Sequence, residues 1–252
     1  MMTNNYWNKK IKDNFNNAAH YYSSYSIVQK YFANKLVNLI EKLEPPNGEW
    51  VDLGCGTGYL ADLIENKLFP INVTRIDFSP KMLIENKKNS KTILWDLNLD
   101  LPVYIENYSM IISSFSIHWL NRPEKAIFHW FERLAPGGFL VVLFPTNKSF
   151  PEWKETCKKC NIKYSGLTFP YSNSLKNCFQ ENKNFSIKEY IYKETFPNIY
   201  KLFKSIIKVG AQSTHSKRIS ISELKLMQRK WPKDNHEKVN LTWNINILIL
   251  QK

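Results

Sequence analysis

The chain has 252 residues, 43% of them hydrophobic and 23% charged, a balance that excludes a disordered chain and is enough for one large α/β domain. No apolar run approaches the roughly 18 residues of a membrane span, and the polar, Asn-rich start from Met1 to Asn17 lacks the apolar core of a signal peptide. With four Cys, a reduced cytoplasmic setting is expected. The net charge of +13 is uneven: residues up to Asn147 hold 15 basic and 14 acidic side chains, and those from Lys148 onward hold 20 and 8. Such a field suits nucleic acid, an anionic membrane or an acidic protein, unless it is compositional drift.

The first helix pattern runs from about Ile27 to Leu43, with Val28, Phe32, Leu36, Leu39 and Leu43 at helical spacing, and Pro45-Pro46-Asn47-Gly48 turns the chain. Trp50 to Leu53 reads as a buried strand and Tyr59 to Leu68 as a helix. Ile71 to Ile76 reads as the second strand, and Ser79-Pro80 has the N-cap and N1 pattern of a new helix. Thr92 to Trp95 and Met110 to Ile112 are the third and fourth strands. A helix is predicted from Asn121 to Leu134, closed by Ala135-Pro136-Gly137-Gly138, and Phe139 to Phe144 is the fifth strand. Short apolar strands alternating with helices imply a parallel sheet covered on both faces.

Beyond Pro145 the pattern changes. Trp153 to Cys178 is mixed and polar, and Ile187 to Phe196 alternates like a strand. Asn198 to Val209 is an amphipathic helix, with Leu202, Ile206 and Val209 on one side and Lys201, Lys204 and Lys208 on another. Ser220 and Glu223 have capping-box spacing. Leu241 to Leu250 is the last strand, with Leu241, Trp243, Ile245, Ile247 and Ile249 on one face. A single domain is expected: N-terminal helices over 1–46, a cofactor core over 47–147, and an acceptor side over 148–252.

Asp52-Leu53-Gly54-Cys55-Gly56-Thr57-Gly58 sits between a strand and a helix. Glycines let the backbone turn sharply and approach a ligand. The spacing is G-x-G-x-G rather than the G-x-G-x-x-G of dinucleotide loops, and the P-loop pattern is absent. The acid before the first glycine suits a cationic ammonium better than phosphate. Asp77, at the end of the second strand, is placed to accept both hydroxyls of a ribose. Asp96-Leu97, after the third strand, is placed to bond and cover an adenine edge. A nucleoside with an amino-acid tail is S-adenosylmethionine.

This pattern resembles the class I S-adenosylmethionine-dependent methyltransferases. The resemblance covers Trp50 to Phe144 and includes the Pro136-Gly137-Gly138 turn. It implies a Rossmann-like sheet whose last strand is antiparallel, with helices on both faces, an N-terminal lid helix and a helical insertion after the fifth strand. Two further stretches resemble the malonyl-acyl carrier protein O-methyltransferases of biotin synthesis. One is Phe15-x-x-Ala18-Ala19-x-x-Tyr22 with Gln29; the other is Ser205 to Ala211, then Trp231-Pro232, then Leu241-Thr242-Trp243. There the family can carry Lys where Ile207 stands, and Tyr is usual at Trp243.

The resemblance implies a cofactor site of Tyr22, Asp52, Gly54, Cys55, Gly56, Thr57, Gly58, Asp77, Phe78, Met82, Asp96, Leu97, Ser113 and Ser114. Tyr22 is placed on a mobile lid helix, with Tyr21 and Tyr25 as lesser members. A malonyl carboxylate is already ionised and requires no general base. No catalytic residue is therefore required, and Tyr22, His118 and Trp119 are positioning candidates; simple packing is the alternative for Tyr22 and His118. Acyl carrier proteins are acidic, so Lys201, Lys204, Lys208, Lys217, Arg218, Arg229 and Lys230 are candidates for a landing surface. A monomer is expected. Alternatives left open are a small-molecule carboxyl or C-methyltransferase and, less favoured, an RNA methyltransferase. After the fourth strand Ser113-Ser114-Phe115-Ser116 replaces the [ND]-P-P-[YF] of base amino-group methylation. Cys157 and Cys160 have C-x-x-C spacing but no second pair, so ordinary thiols and no metal site are expected.

Overall fold

The computed structural model describes residues 2–102, 104–179, 184–212 and 219–252. Seven strands form one sheet in the order β3-β2-β1-β4-β5-β7-β6. They are β1 (Trp50–Leu53), β2 (Val73–Asp77), β3 (Thr92–Leu94), β4 (Tyr108–Ser114), β5 (Leu134–Pro145), β6 (Phe185–Phe196) and β7 (Val239–Gln251). The pairs among β1 to β5 are parallel, whereas β7 runs antiparallel between β5 and β6. A parallel sheet with one antiparallel final strand is therefore present, as expected.

The helices are α1 (Met2–Tyr25), α2 (Ile27–Ile40), α3 (Tyr59–Lys67), α4 (Pro80–Ile84), α5 (Pro123–Glu132), α6 (Pro151–Lys159), α7 (Ser172–Phe179), α8 (Ile199–Lys208) and α9 (Ile221–Lys230). Among the described residues no helix is long and apolar enough to cross a membrane.

The unbroken apolar strands are explained by burial on both faces. Met110, Ile112, Val141, Leu143, Ile245 and Ile247 pack with Phe32 and Leu36 of α2 and Ile64 of α3. Their neighbours Ile111, Leu140, Val142, Leu248 and Leu250 pack with Ile127 and Trp130 of α5 and Leu175 of α7. A third cluster, from Phe150, Trp153, Phe169, Leu202, Met227 and Trp231, builds a cap from α6, α8 and α9.

Four expectations are corrected. The helix α2 stops at Ile40, three residues early, where a turn begins. The segment Ala135-Pro136-Gly137-Gly138 is an irregular part of β5 rather than a helix-closing turn: Leu134 pairs Tyr108 and Phe139 pairs Met110, with a register shift between them. The polar stretch from Trp153 to Cys178 carries the short helices α6 and α7. Finally β7 is buried on both faces, including Asn244 and Asn246, because helices cover both: Ile245 and Ile247 pack with α2, and Leu248 and Leu250 with α5 and α7. Asn244 bonds the Thr146 hydroxyl, and the Asn246 amide nitrogen donates to Ser172 Oγ at 2.5 Å, which offsets part of the burial penalty, while Asn246 Oδ1 has no partner among the described residues.

Two helix starts follow cap signals in the sequence, at Ser79 and Ser220, and a third cap is found at Asn198. Ser79 Oγ accepts from Met82 N at 3.2 Å, Asn198 Oδ1 from Lys201 N at 3.0 Å, and Ser220 forms the full capping box with Glu223.

Candidate functional site

Strand C-terminal ends line the ligand crevice of an open α/β sheet, and here β1, β2 and β4 end at one cavity. It is lined by Gly54 and Gly56 after β1, Asp77, Phe78 and Met82 after β2, Asp96, Leu97 and Asn98 after β3, and Ser114 and Ser116 after β4. The helix α1 covers it with Asn8, Ile11, Phe15 and Tyr22.

The glycine loop is shaped from beneath. Gly54 and Gly58 have φ of +78° and +80°. A Cβ at Gly54 would stand 2.5 Å from the Ser116 side chain, and one at Gly58 would stand 2.0 Å from Asn86 Oδ1. Gly56 has nothing within 4 Å of a would-be Cβ, so its backbone is bare toward the cavity. Asn86 braces the loop by donating to Gly56 O at 2.9 Å and Met82 O at 3.0 Å. The buried Arg75 orients Asn86 at 3.2 Å, with its other nitrogen on Asp62 (2.8 Å) and Glu65 (2.5 Å).

Asp77 Oδ2 accepts from Gly56 N at 2.9 Å and Oδ1 from Ser79 N at 2.8 Å. These bonds fix the carboxylate against the loop and leave further lone pairs toward the cavity. Burial pushes Asp77 up to about 6, against the lowering effect of those N–H groups. Asp96 Oδ1 accepts from the backbone and side-chain nitrogens of Asn98.

Asp52 is 1% exposed and both its oxygens are unpartnered among the described residues. Burial raises it to about 7, with Arg75 pulling it down and Asp77 pushing it up. A buried carboxylate with no donor is costly unless a ligand or proton completes it. The residues present therefore fit a ligand that carries a ribose and an ammonium group.

Not every expected residue faces this cavity. Asp52, Cys55, Thr57, Gly58 and Ser113 are not among its lining residues. Ser113 is buried and donates to Leu53 O at 2.8 Å, so it ties β4 to β1. Thr57 pairs its hydroxyl with Ser23 of α1 at 3.3 Å, and Gly58 caps α3. Tyr22 was expected, whereas Asn8, Ile11, Asn98 and Ser116 were not. No motif marks them, because they arrive by packing.

A second cavity, of about 440 Å³, lies over the sheet edge and under the cap. Phe15, Tyr22, Phe115 and Trp119 line both cavities, so they form the neck between them. Phe115 holds a φ of +53°, and Phe150, another wall residue, one of +64°. Left-handed aromatic residues are strained, and strain of this kind concentrates where a side chain must be aimed. His118 stacks within 5.1 Å of Trp119 and 5.3 Å of Phe169. Its Nδ1 is buried and unpartnered among the described residues, and desolvation pulls it down to about 3, so the imidazole is neutral. Burial, reinforced by Asp77, raises the Tyr22 phenol well above its usual value, so it stays protonated.

Among the described residues no Lys or Arg lines the second cavity. Ile207 does line it, at the position where the family can carry Lys. Glu194 and Trp243 also line it and were not assigned there from sequence.

Of the proposed landing residues, Lys201, Lys204, Arg229 and Lys230 are exposed on α8 and α9. Gln228 Oε1 accepts from Ile199 N at 3.0 Å and joins these helices. Lys208 turns toward α1, with its ammonium 4.0 Å from the centre of the Tyr21 ring and 5.9 Å from that of Tyr25. Lys217 and Arg218 lie outside the described residues. Cys157 and Cys160 are free thiols at the end of α6.

Residues 25–189 match the family described as "Methyltransferase domain". The fold is shared with the YcgJ protein of Bacillus subtilis, at a TM-score of 0.57 and 12% identity over 86% of this chain and 97% of that one. It is shared too with the plantazolicin methyltransferase BpumL, solved with S-adenosylhomocysteine, at a TM-score of 0.52 and 12% identity over 96% and 98%. Fold and family together define an enzyme of the class I methyltransferase type.

Two curated relatives are more specific. The malonyl-[acyl-carrier protein] O-methyltransferase of Bacillus anthracis is 30% identical over 81% of each chain. That of Buchnera aphidicola is 29% identical over 89% of this chain and 91% of its own. The chain belongs to the malonyl-[acyl-carrier protein] O-methyltransferase family.

Proposed function

We propose that the protein transfers the methyl group of S-adenosylmethionine to the free carboxylate of a malonyl group on acyl carrier protein, giving the methyl ester for biotin synthesis. One observation carries this reading above the rest. A polar nucleoside-type cavity and an aromatic cavity with no Lys or Arg among its described lining residues meet at a neck of Phe15, Tyr22, Phe115 and Trp119. When bound, the cofactor supplies a methyl carbon on a cationic sulfonium, open to in-line attack.

The chain's own residues do the rest. Asp77 receives the ribose, Asp96 and Leu97 the adenine, and Asp52 balances the ammonium. The neck aromatics exclude water, so a carboxylate oxygen entering there is desolvated and held in line with the methyl carbon. The oxygen–carbon bond forms as the carbon–sulfur bond breaks, and the negative and positive charges cancel without proton transfer. A Lys or Arg on the acceptor oxygen would tie up its lone pairs. The protonated Tyr22 hydroxyl and the neutral His118 imidazole position the carboxylate more weakly and leave it nucleophilic.

The helix α1 acts as a lid in this scheme. Asn8, Ile11, Phe15 and Tyr22 of α1 close over the cofactor cavity. Entry requires α1 to lift, breaking the Asn16–Ser79 (2.7 Å) and Ser23–Thr57 (3.3 Å) side-chain bonds.

The test is incubation of the purified protein with methyl-labelled S-adenosylmethionine and, in parallel, malonyl-carrier protein, malonyl-CoA or RNA. Base-labile label on the malonyl thioesters is expected, and label confined to RNA would overturn the proposal.

A further inference from the structure

The aromatic cavity holds one feature that the transfer scheme leaves unused. Glu194, on β6, is the one carboxyl group among the described lining residues. Its Oε2 accepts from Trp243 Nε1 at 2.8 Å, and no other hydrogen bond reaches this side chain among the described residues. Burial raises its pKa, and the Trp243 bond lowers it. The Trp243 ring packs 6.0 Å from Phe115 and 4.5 Å from Phe150, and Glu194 lines the aromatic cavity but is not one of the neck residues.

An acid in this place attracts a hydrogen-bond donor, because an oxygen in an apolar cavity is costly until a donor reaches it. The acceptor proposed above carries such donors: the pantetheine arm behind the malonyl thioester contains secondary amides. We propose that Glu194, held by Trp243, receives an amide N–H of the acceptor's arm and so sets which end of the acceptor enters the neck. This inference rests on the malonyl-thioester reading and adds the arm's binding site to it.

The test compares malonyl-pantetheine with the malonyl thioester of a plain alkanethiol of equal length, which has no amide. It uses the full-length wild-type protein, Glu194→Gln and Glu194→Ala. The Gln variant keeps the volume, but its single oxygen is taken by Trp243 and its NH₂ faces the arm. For malonyl-pantetheine, kcat/KM should fall about tenfold or more in both variants, the usual effect of losing a hydrogen bond to a carboxylate. For the alkyl thioester it should stay within about twofold. Calorimetric binding of S-adenosylhomocysteine should be unchanged, which shows that the variants are folded. An equal fall on both thioesters, or no fall on malonyl-pantetheine, overturns the role of Glu194 while leaving the acceptor reading intact. A wild-type protein that methylates neither thioester overturns both.

Discussion

On one side of the neck, Gly54 and Gly56 of one short loop line a polar cavity, and the acids Asp77 and Asp96 stand at the ends of the next two strands. On the other side, the walls come from α1, α2, the turn after β4, the segments around α6, and from α8, β6 and β7. The first region is local in sequence and made of backbone and carboxylates. The second is assembled by topology from aromatic side chains that have no fixed spacing. A ligand common to many enzymes is met by a compact, recurring device, and the acceptor is met by whatever the cap brings together.

The contrast can be broken most strongly at Asp77. Asp77→Ala removes the acceptor for Gly56 N and Ser79 N as well as the proposed ribose contact, so cofactor affinity measured by calorimetry should fall about a hundredfold or more. Wild-type affinity in that variant would mean that the polar cavity is not the cofactor site.

A smaller effect follows from Asp52, which burial raises from 3.8 to about 7 in the folded protein. A raised carboxyl favours the protonated folded state, so its contribution to stability is complete below about 4 and is lost as pH rises through about 7. Binding of an ammonium group favours the ionised form and runs the other way. S-adenosylmethionine affinity should therefore tighten about tenfold from pH 6 to pH 8, because most Asp52 is protonated at the lower value. Asp52→Asn should flatten that profile, and a profile left unchanged would remove Asp52 from the site.

On the acceptor side, reversing Lys201, Lys204 and Arg229 together to Glu should raise the apparent KM for malonyl-carrier protein several-fold and leave malonyl-CoA nearly unaffected, since surface charge acts on protein encounter. Equal effects would return the basic excess to compositional drift. The smallest change is Ser220→Ala. It deletes one half of the capping box of α9 and should lower stability by about 1 kcal/mol in thermal unfolding, with cofactor affinity intact.

The same contrast explains what could be read from the sequence. The glycine loop, the Ser79 and Ser220 caps and the strands β1 to β5 announce themselves through residues next to one another. The helices α6 and α7 do not, because each is short and only Trp153, Thr156 and Cys157, or Leu175 and Phe179, are buried on otherwise polar surfaces. Glu194 was invisible for a different reason. Along β6 its neighbours include Lys188, Glu189 and Lys193, and nothing local separates the acid that faces the cavity from those in water. Only the pairing of β6 with β7, which brings Trp243 within reach, makes the distinction. Lys208 likewise shares the spacing of Lys201 and Lys204, but contact with α1 commits it to Tyr21.

The central claim is that the neck delivers a free carboxylate oxygen, and no other nucleophile, to the methyl carbon. The most direct measurement is NMR of the product formed from malonyl-carrier protein and S-adenosylmethionine carrying an isotopically labelled methyl. A single methoxy resonance that base hydrolysis removes is predicted, with no label on acetyl-carrier protein, which lacks the carboxylate. A base-stable methyl on the malonyl carbon would contradict the account and make the protein a C-methyltransferase.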